Sequence, residues 1–309
     1  GEPARARGFW ARRARASGRR AGTDAGPIGV DDWCPEWFRA RARARVAAWK
    51  PDVVVVEYVF LSACLEGLAA VHPCVTVIDT HDLMHRRRAV YDAIGLPPQW
   101  FHTTYAEERR GLARADLVLA IQDEEAAVLR EMVGPGRVLR VAHARPLRPA
   151  PLEAARPGRL LLVASYNDVN VRGLAWLCDS VWPALRTAIP EVELVVCGNI
   201  AEKLGRLPAG VMVRGFVPVL DVEYAAARVV VSPVPGGTGL KVKAVDALCH
   251  GRAVVATVAG AVGADVGEAN GVLVAADAAG FAALVVDLLR DDGRWRRAVA
   301  GACTQAARR

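Results

Sequence analysis

The sequence predicts an α/β protein of two domains, each a parallel sheet with helices on both faces. Three observations carry that expectation. Short apolar runs without strict alternation recur along the chain, as in strands covered on both sides. Helical patterns with apolar residues three and four apart fall between those runs. The 309 residues, 53% of them hydrophobic, suffice for two cores of about 100–200 residues each.

In chain order, residues 1–30 mix Arg, Ala and Gly without an apolar stripe. The first fifty residues hold eleven arginines against five acidic side chains, which makes nucleic acid a tempting partner. The tract lacks regular aromatic interleaving and any familiar reader motif, so a solvated arm is expected and no nucleic-acid partner. An anionic membrane surface stays open for the same charges. A helix is expected from Pro35 to Trp49. First-domain strands are expected at Val53–Glu57, Val75–Asp79, Leu117–Ile121 and Val138–Ala142. The stretch Arg145–Gly158, rich in Pro, Ala and Arg, reads as the boundary, giving domains 1–150 and 151–309. Second-domain strands are expected at Leu160–Ala164, Glu193–Cys197, Val211–Phe216, Val229–Pro233, Ala253–Ala256 and Gly271–Val274.

No apolar run approaches the roughly 20 residues that span a bilayer. The seven cysteines are odd in number and contain no Cys-x-x-Cys pair. Reduced thiols in a cytoplasmic setting are therefore expected, rather than a disulfide framework or a zinc site. Cys178, Cys197 and Cys249 read as small buried hydrophobes.

The segment Val234–Thr257 reads as glycine loop, helix, turn and strand. Gly236-Gly237-Thr238-Gly239 closes the strand Val229–Pro233, and the helix carries Val242, Val245 and Leu248 on one side. Amides at the start of such a helix, reached past residues without side chains, can cradle phosphate oxygens. Lys241 and Lys243 add positive charge nearby. A tight turn alone explains the glycines about as well. Lys243, Asp246 and His250 fall near one helical face. That face is either a solvated stripe with a Lys243–Asp246 pair or a carboxylate placed to accept from ribose hydroxyls.

Gly-Thr-Gly-Leu-Lys from Gly237, the acidic Asp246 before Ala247-Leu248, and Gly251-Arg-Ala-Val-Val-Ala-Thr257 resemble the donor-binding core of group 1 retaining glycosyltransferases. Further short matches keep the order: Val56–Ser62, Val77–Asp82, Ala115–Gln122, Ala164–Leu174 and Gly215–Val217. The resemblance implies a GT-B fold, in which two Rossmann-like domains face a cleft that holds the substrates. It also implies a first domain that opens with a strand and a glycine-rich loop. This chain opens with Gly1, and its first convincing strand is Val53–Glu57, so an incomplete first domain is expected.

The activity the resemblance implies is transfer of a hexosyl-type sugar from a nucleotide-diphosphate donor to a hydroxyl acceptor, with retention. The acceptor would be a saccharide, a lipid-linked molecule or a small molecule. No metal or other cofactor is expected, and no Asp-x-Asp triplet argues for one. Localisation is expected to be cytoplasmic, with peripheral contact at the inner membrane face left open.

Among site residues, the resemblance places His81 against the transferring sugar or its acceptor, with Asp82 as an orienting partner. Glu57 and Tyr58 line the acceptor side. The catalytic set is thus His81, Asp82 and Lys241. Gly237, Thr238, Gly239, Leu240 and Lys243 would hold the diphosphate, and Asp246 the ribose. Ser165, Asn170 and Arg172 would border the diphosphate, although Ser, Asn and Asp in that turn also read as helix caps. Gly215, Phe216 and Val217 would face the nucleobase. Asp246 stands where the family usually has Glu, and Thr238 where its paired motif has another Glu. A nucleotide-sugar-binding scaffold that has lost transfer is the alternative. An epimerase or a cofactor-type phosphorylase lacks its diagnostic motif.

Overall fold

Four consecutive valines in Val53–Glu57 leave little choice but a strand, because β-branched side chains crowd a helix and fit a pleated surface. The computed structural model describes residues 28–98, 100–200 and 205–308. The Arg-rich expectation for residues 1–30 therefore lies almost wholly outside the described residues. The chain divides into two compact units. One holds the described residues up to Leu119 with Val128–Leu139, the other Ala120–Ala127 with Arg140 onward.

The first unit begins with α1 (Glu36–Trp49), one residue inside the expected helix. Then come β1 (Val53–Glu57), α2 (Leu68–Val71), β2 (Val75–Asp79), α3 (Arg87–Ala93), α4 (Tyr105–Leu112), β3 (Leu117–Ala120), α5 (Asp123–Val133), whose first residues are counted with the second unit, and β4 (Val138–Arg140). They build a four-stranded sheet in the order β1-β2-β3-β4. The β1–β2 and β2–β3 pairs are parallel, with Glu57 beside Asp79 in register.

The second unit runs β5 (Arg159–Val163), α6 (Asp168–Trp176), α7 (Trp182–Ala188), β6 (Glu193–Cys197), β7 (Val211–Gly215), α8 (Asp221–Ala226) and β8 (Val229–Ser232). It continues with α9 (Val242–Cys249), β9 (Ala253–Thr257), β10 (Val272–Ala275), α10 (Ala278–Arg290) and α11 (Asp292–Ala307). Its sheet is parallel, in the order β10-β9-β8-β5-β6-β7. Every expected strand forms, within two residues at either end.

The absence of alternation in these strands has a visible cause. Leu160, Leu162, Leu194, Val196, Val229 and Val231 enter the core on one face, with Trp182 and Phe281. Leu161, Val195, Val230 and Val254 enter the core on the other, with Val245 and Leu248 of α9. Both faces are dry at these positions, so successive residues in the middle of the strand are apolar. Each buried Leu or Val contributes about 1.5–3 kcal/mol.

The stretch 145–158, expected to separate the domains, packs on the second unit. Arg148 N donates to Cys249 O at 2.8 Å and Ala150 N to His250 O at 3.1 Å. Proline and arginine made it resemble a linker, but its backbone is paired. Among the described residues no helix is long and apolar enough to cross a membrane.

Candidate active site

Strand order fixes where a ligand of the second unit belongs. β5 opens the unit at the middle of the sheet, and β8 lies on the flank opposite β6. Loops leaving β5 and β8 thus part at the reversal of strand order, where open α/β sheets bind ligands. Gly173 lets them approach: a Cβ there would stand 2.7 Å from the Pro233 carbonyl oxygen. Without a side chain at that position, α6 lies directly against the exit of β8.

The two loops are cross-linked by residues the sequence singled out. Asn167 caps α6 by accepting from Asn170 N at 2.8 Å. The Asn170 amide donates to Ser165 O at 2.8 Å, and its Oδ1 accepts from Lys243 Nζ at 2.7 Å. Ser165, Asn170 and Lys243 therefore form one chain of contacts across the reversal point. Burial, helped by the neighbouring Lys241 charge, pulls the Lys243 ammonium down to about 8. A cation held at this cost is poised to gain from an anion.

The glycine loop has the backbone its composition suggests, with φ of 122° at Gly237 and 75° at Gly239. Lys241 differs from the expectation of a phosphate-facing ammonium. Its Nζ donates to the carbonyls of Gly237, Thr238 and Gly239 at 3.2, 3.1 and 2.9 Å. An ammonium has three hydrogens, and three loop carbonyls stand within hydrogen-bond reach of this one. Lys241 braces the loop, because three inward carbonyls so close to it are the nearest acceptors. The helix α9 starts at Val242 without a side-chain cap.

Asp246, buried on α9, does not pair with Lys243. It receives Arg145 in two parallel bonds, Nε to Oδ1 at 2.8 Å and Nη2 to Oδ2 at 3.1 Å. His143 Nε2 lies 3.7 Å from Asp246 Oδ1. The adjacent His250 Nδ1 stands 2.7 Å from the Asp246 carbonyl, and its ring stacks on Tyr224 at 4.3 Å. Arg145 and His143 were missed in the sequence, where they looked like part of a basic connector.

Arg172 takes a different place. It lines a hollow of about 470 Å³ with Trp176, Pro233, Thr257 and Asp277, along the carboxyl ends of β8, β9 and β10. Gly215 ends β7, and Phe216 and Val217 follow it at the sheet edge, three strand spacings or about 14 Å from β8. Gly215 has φ 66°, and Phe216 exposes 79% of its surface.

In the first unit, the turn after β2 holds His81 at φ 56°, rare for a residue with a side chain. Its Nε2 is hydrogen-bonded to Glu57 Oε2 and lies 3.7 Å from Asp79 Oδ2. Tyr58, also at positive φ, packs its ring 4.4 Å from the imidazole. Glu57 is thus the carboxylate at Nε2, a pairing the sequence did not single out. Asp82 instead accepts from Leu83 N at 2.8 Å and pairs with Arg87 at 3.2 Å. Parallel register explains this, since it sets the ends of β1 and β2 side by side. The ligating atoms of Glu57, Asp79 and His81 lie within 4.8 Å of one another, a spacing compatible with a divalent cation.

Residues 157–291 match the family model described as "Glycosyl transferases group 1". No curated protein sequence matches the chain. Among solved structures, Anabaena Alr3699/HepE in complex with UDP is 15% identical, with a TM-score of 0.68, over 88% of this chain and 78% of that one. Sucrose-phosphate synthase of Thermosynechococcus elongatus is 19% identical, with a TM-score of 0.70, over 88% and 72%. S. aureus TarM, as a mutant in complex with UDP and other ligands, is 11% identical, with a TM-score of 0.68, over 88% and 56%. At these identities the likeness establishes the GT-B fold. With the family match over most of the second unit, it supports the resemblance read from the motifs.

Proposed function

We propose that the chain is a glycosyltransferase that takes a sugar from a nucleotide-diphosphate donor and passes it to a hydroxyl acceptor with retention at the anomeric carbon. One observation carries the reading: Lys243, Asn170 and Ser165 join the β5 and β8 loops at the sheet's reversal point, beside positive-φ glycines and an uncapped helix start. This arrangement suits a diphosphate, because a desolvated ammonium held beside a helix start favours a compact anion. Supporting the leaving diphosphate would be the main catalytic contribution. Asp246 would accept from the ribose, and the exposed Phe216 ring would border the base. His81, oriented by Glu57, would contact the sugar or its acceptor, a role the resemblance implies. Neither a metal nor another cofactor is part of this reading.

HepE and TarM were each crystallised with UDP, so a UDP-linked sugar is the first donor to try. The alternative is a scaffold that binds the nucleotide sugar without transferring it. Thermal-shift measurements with UDP-, GDP- and ADP-sugars test donor binding, since a ligand selective for the folded state raises its melting point. At least one donor is expected to stabilise the chain, and Asp246→Asn to weaken that donor about tenfold, as for one charge-assisted hydrogen bond. A flat response to every donor overturns both readings. Stabilisation without sugar turnover across an acceptor panel selects the scaffold.

A further inference from the structure

The segment ahead of β1 is held to the first unit by a dense set of contacts. Val30 N donates to Glu107 Oε2 at 2.9 Å, and Thr103 Oγ1 to Ile28 O at 2.6 Å. Asp31 lies between Arg110 and Arg114, whose bonds to it outweigh its burial and hold its carboxyl at about 2. Within this set sit Cys34, in the turn before α1, and Cys64, after β1. Their sulfurs are 3.3 Å apart, across 30 residues of sequence. Both are buried, in a small cluster with Ala63 against which Phe38, Ala42, Val56 and Leu61 pack.

We propose that Cys34 and Cys64 are a redox-modifiable pair that closes to a disulfide and clamps the segment carrying α1 onto the first unit. A disulfide needs about 2.05 Å between sulfurs, so the gap left to close is only about 1.3 Å. Arg39 Nε donates to the Cys34 carbonyl at 2.8 Å, which sets a guanidinium beside this sulfur and makes Cys34 the attacking one. A hydrogen bond from the Cys64 thiol, with help from the Arg39 charge, pulls its thiol below the ordinary range. Burial instead pushes the thiols of Cys178 and Cys197 up to about 11, which leaves them unreactive.

Burial at Cys34 and Cys64 excludes bulky oxidants, so a small peroxide is the oxidant class. The Cys34 thiolate attacks one peroxide oxygen, the O–O bond breaks, and the departing hydroxide takes a proton to leave as water. Cys34 is then a sulfenic acid. The Cys64 sulfur attacks it, the S–O bond breaks, and the Cys64 proton leaves with the hydroxide as a second water. Two thiols and one hydrogen peroxide thus give one disulfide and two waters.

The test treats the full chain with a small excess of hydrogen peroxide and maps its peptides. The expected product loses the mass of two hydrogens, links the Cys34 and Cys64 peptides, and reverts with dithiothreitol. In Cys64→Ser, the same dose is expected to leave a sulfenic acid at Cys34, which dimedone traps once it is added as the chain is unfolded. In Cys34→Ser no cross-link forms, and the six remaining thiols survive that dose. Oxidation of Cys74 or Cys303 ahead of Cys34, or intact thiols throughout, overturns the proposal. Because the main readout uses the unmutated chain, a variant that fails to fold leaves the test standing.

Discussion

Lys243→Met is expected to lower the affinity for a nucleotide-diphosphate sugar by about 10–100-fold, the range of a lost charge-assisted hydrogen bond at about 1.5–3 kcal/mol. Titration calorimetry with the donor that gives the largest thermal shift measures it. Methionine keeps most of the volume and the flexible stem, so the loss reports the ammonium rather than a cavity. The unliganded melting point is expected to move little. Removing a half-buried charge relieves desolvation, while Asn170 Oδ1 loses its partner, and the two oppose each other. Lys241→Ala is different, since three loop carbonyls lose their shared donor and the glycine loop itself loosens.

A pH series separates the Lys243 charge from every other contribution. Its folded-state value of about 8 lies below the 10.5 of a free lysine. Across that window the unfolded chain holds the proton and the folded chain does not. The unliganded fold therefore gains stability from this group as pH rises from about 8 toward 10.5. Donor binding runs the other way. A diphosphate binds the protonated form better, so affinity falls as pH climbs past 8, and it falls less in Lys243→Met. Equal pH dependence in both proteins would remove Lys243 from the anion site.

The fold was legible because the second unit is covered on both faces. A strand such as Val229–Ser232 can then be apolar on successive positions, here three valines between Arg228 and the hydrogen-bonded Ser232. The glycine loop was legible for a similar local reason, since positive φ at Gly237 and Gly239 demands residues without side chains. What stayed hidden depends on long-range pairing. Lys243 and Asn170 are 73 residues apart, and Arg145 and Asp246 are 101 apart. Spacing along one helix allowed a Lys243–Asp246 pair, yet each residue is paired elsewhere, with Asn170 and with Arg145. Glu57 went to His81 for the same reason, because parallel register, invisible in either strand alone, puts their ends together.

Arg252 is where the largest loss of stability is expected. It stands in the Gly-Arg-Ala-Val-Val motif and is fully buried. No carboxylate pairs with it in the hydrogen bonds it makes. Its guanidinium donates instead to five carbonyls: Tyr224 at 2.9 Å, Ala225 at 2.8 Å, Pro151 at 2.9 Å, Gly251 at 3.1 Å and Ala150 at 3.3 Å. Those carbonyls come from the end of α8, the turn before β9 and the stretch ahead of β5, so one side chain closes three chain segments. The planar fork with five donors is what makes this possible, and lysine cannot reproduce it. Arg252→Met fills similar space but leaves the carbonyls unpaired in a dry site. The expected cost is about 3–5 kcal/mol, the range for removing one partner of a buried charged network. Urea denaturation measures it, as a lower midpoint with an unchanged slope. Arg252→Lys is expected to recover less than half. Full recovery by lysine would mean that charge, rather than the five-fold carbonyl fork, fastens the stretch 145–158 to the second unit.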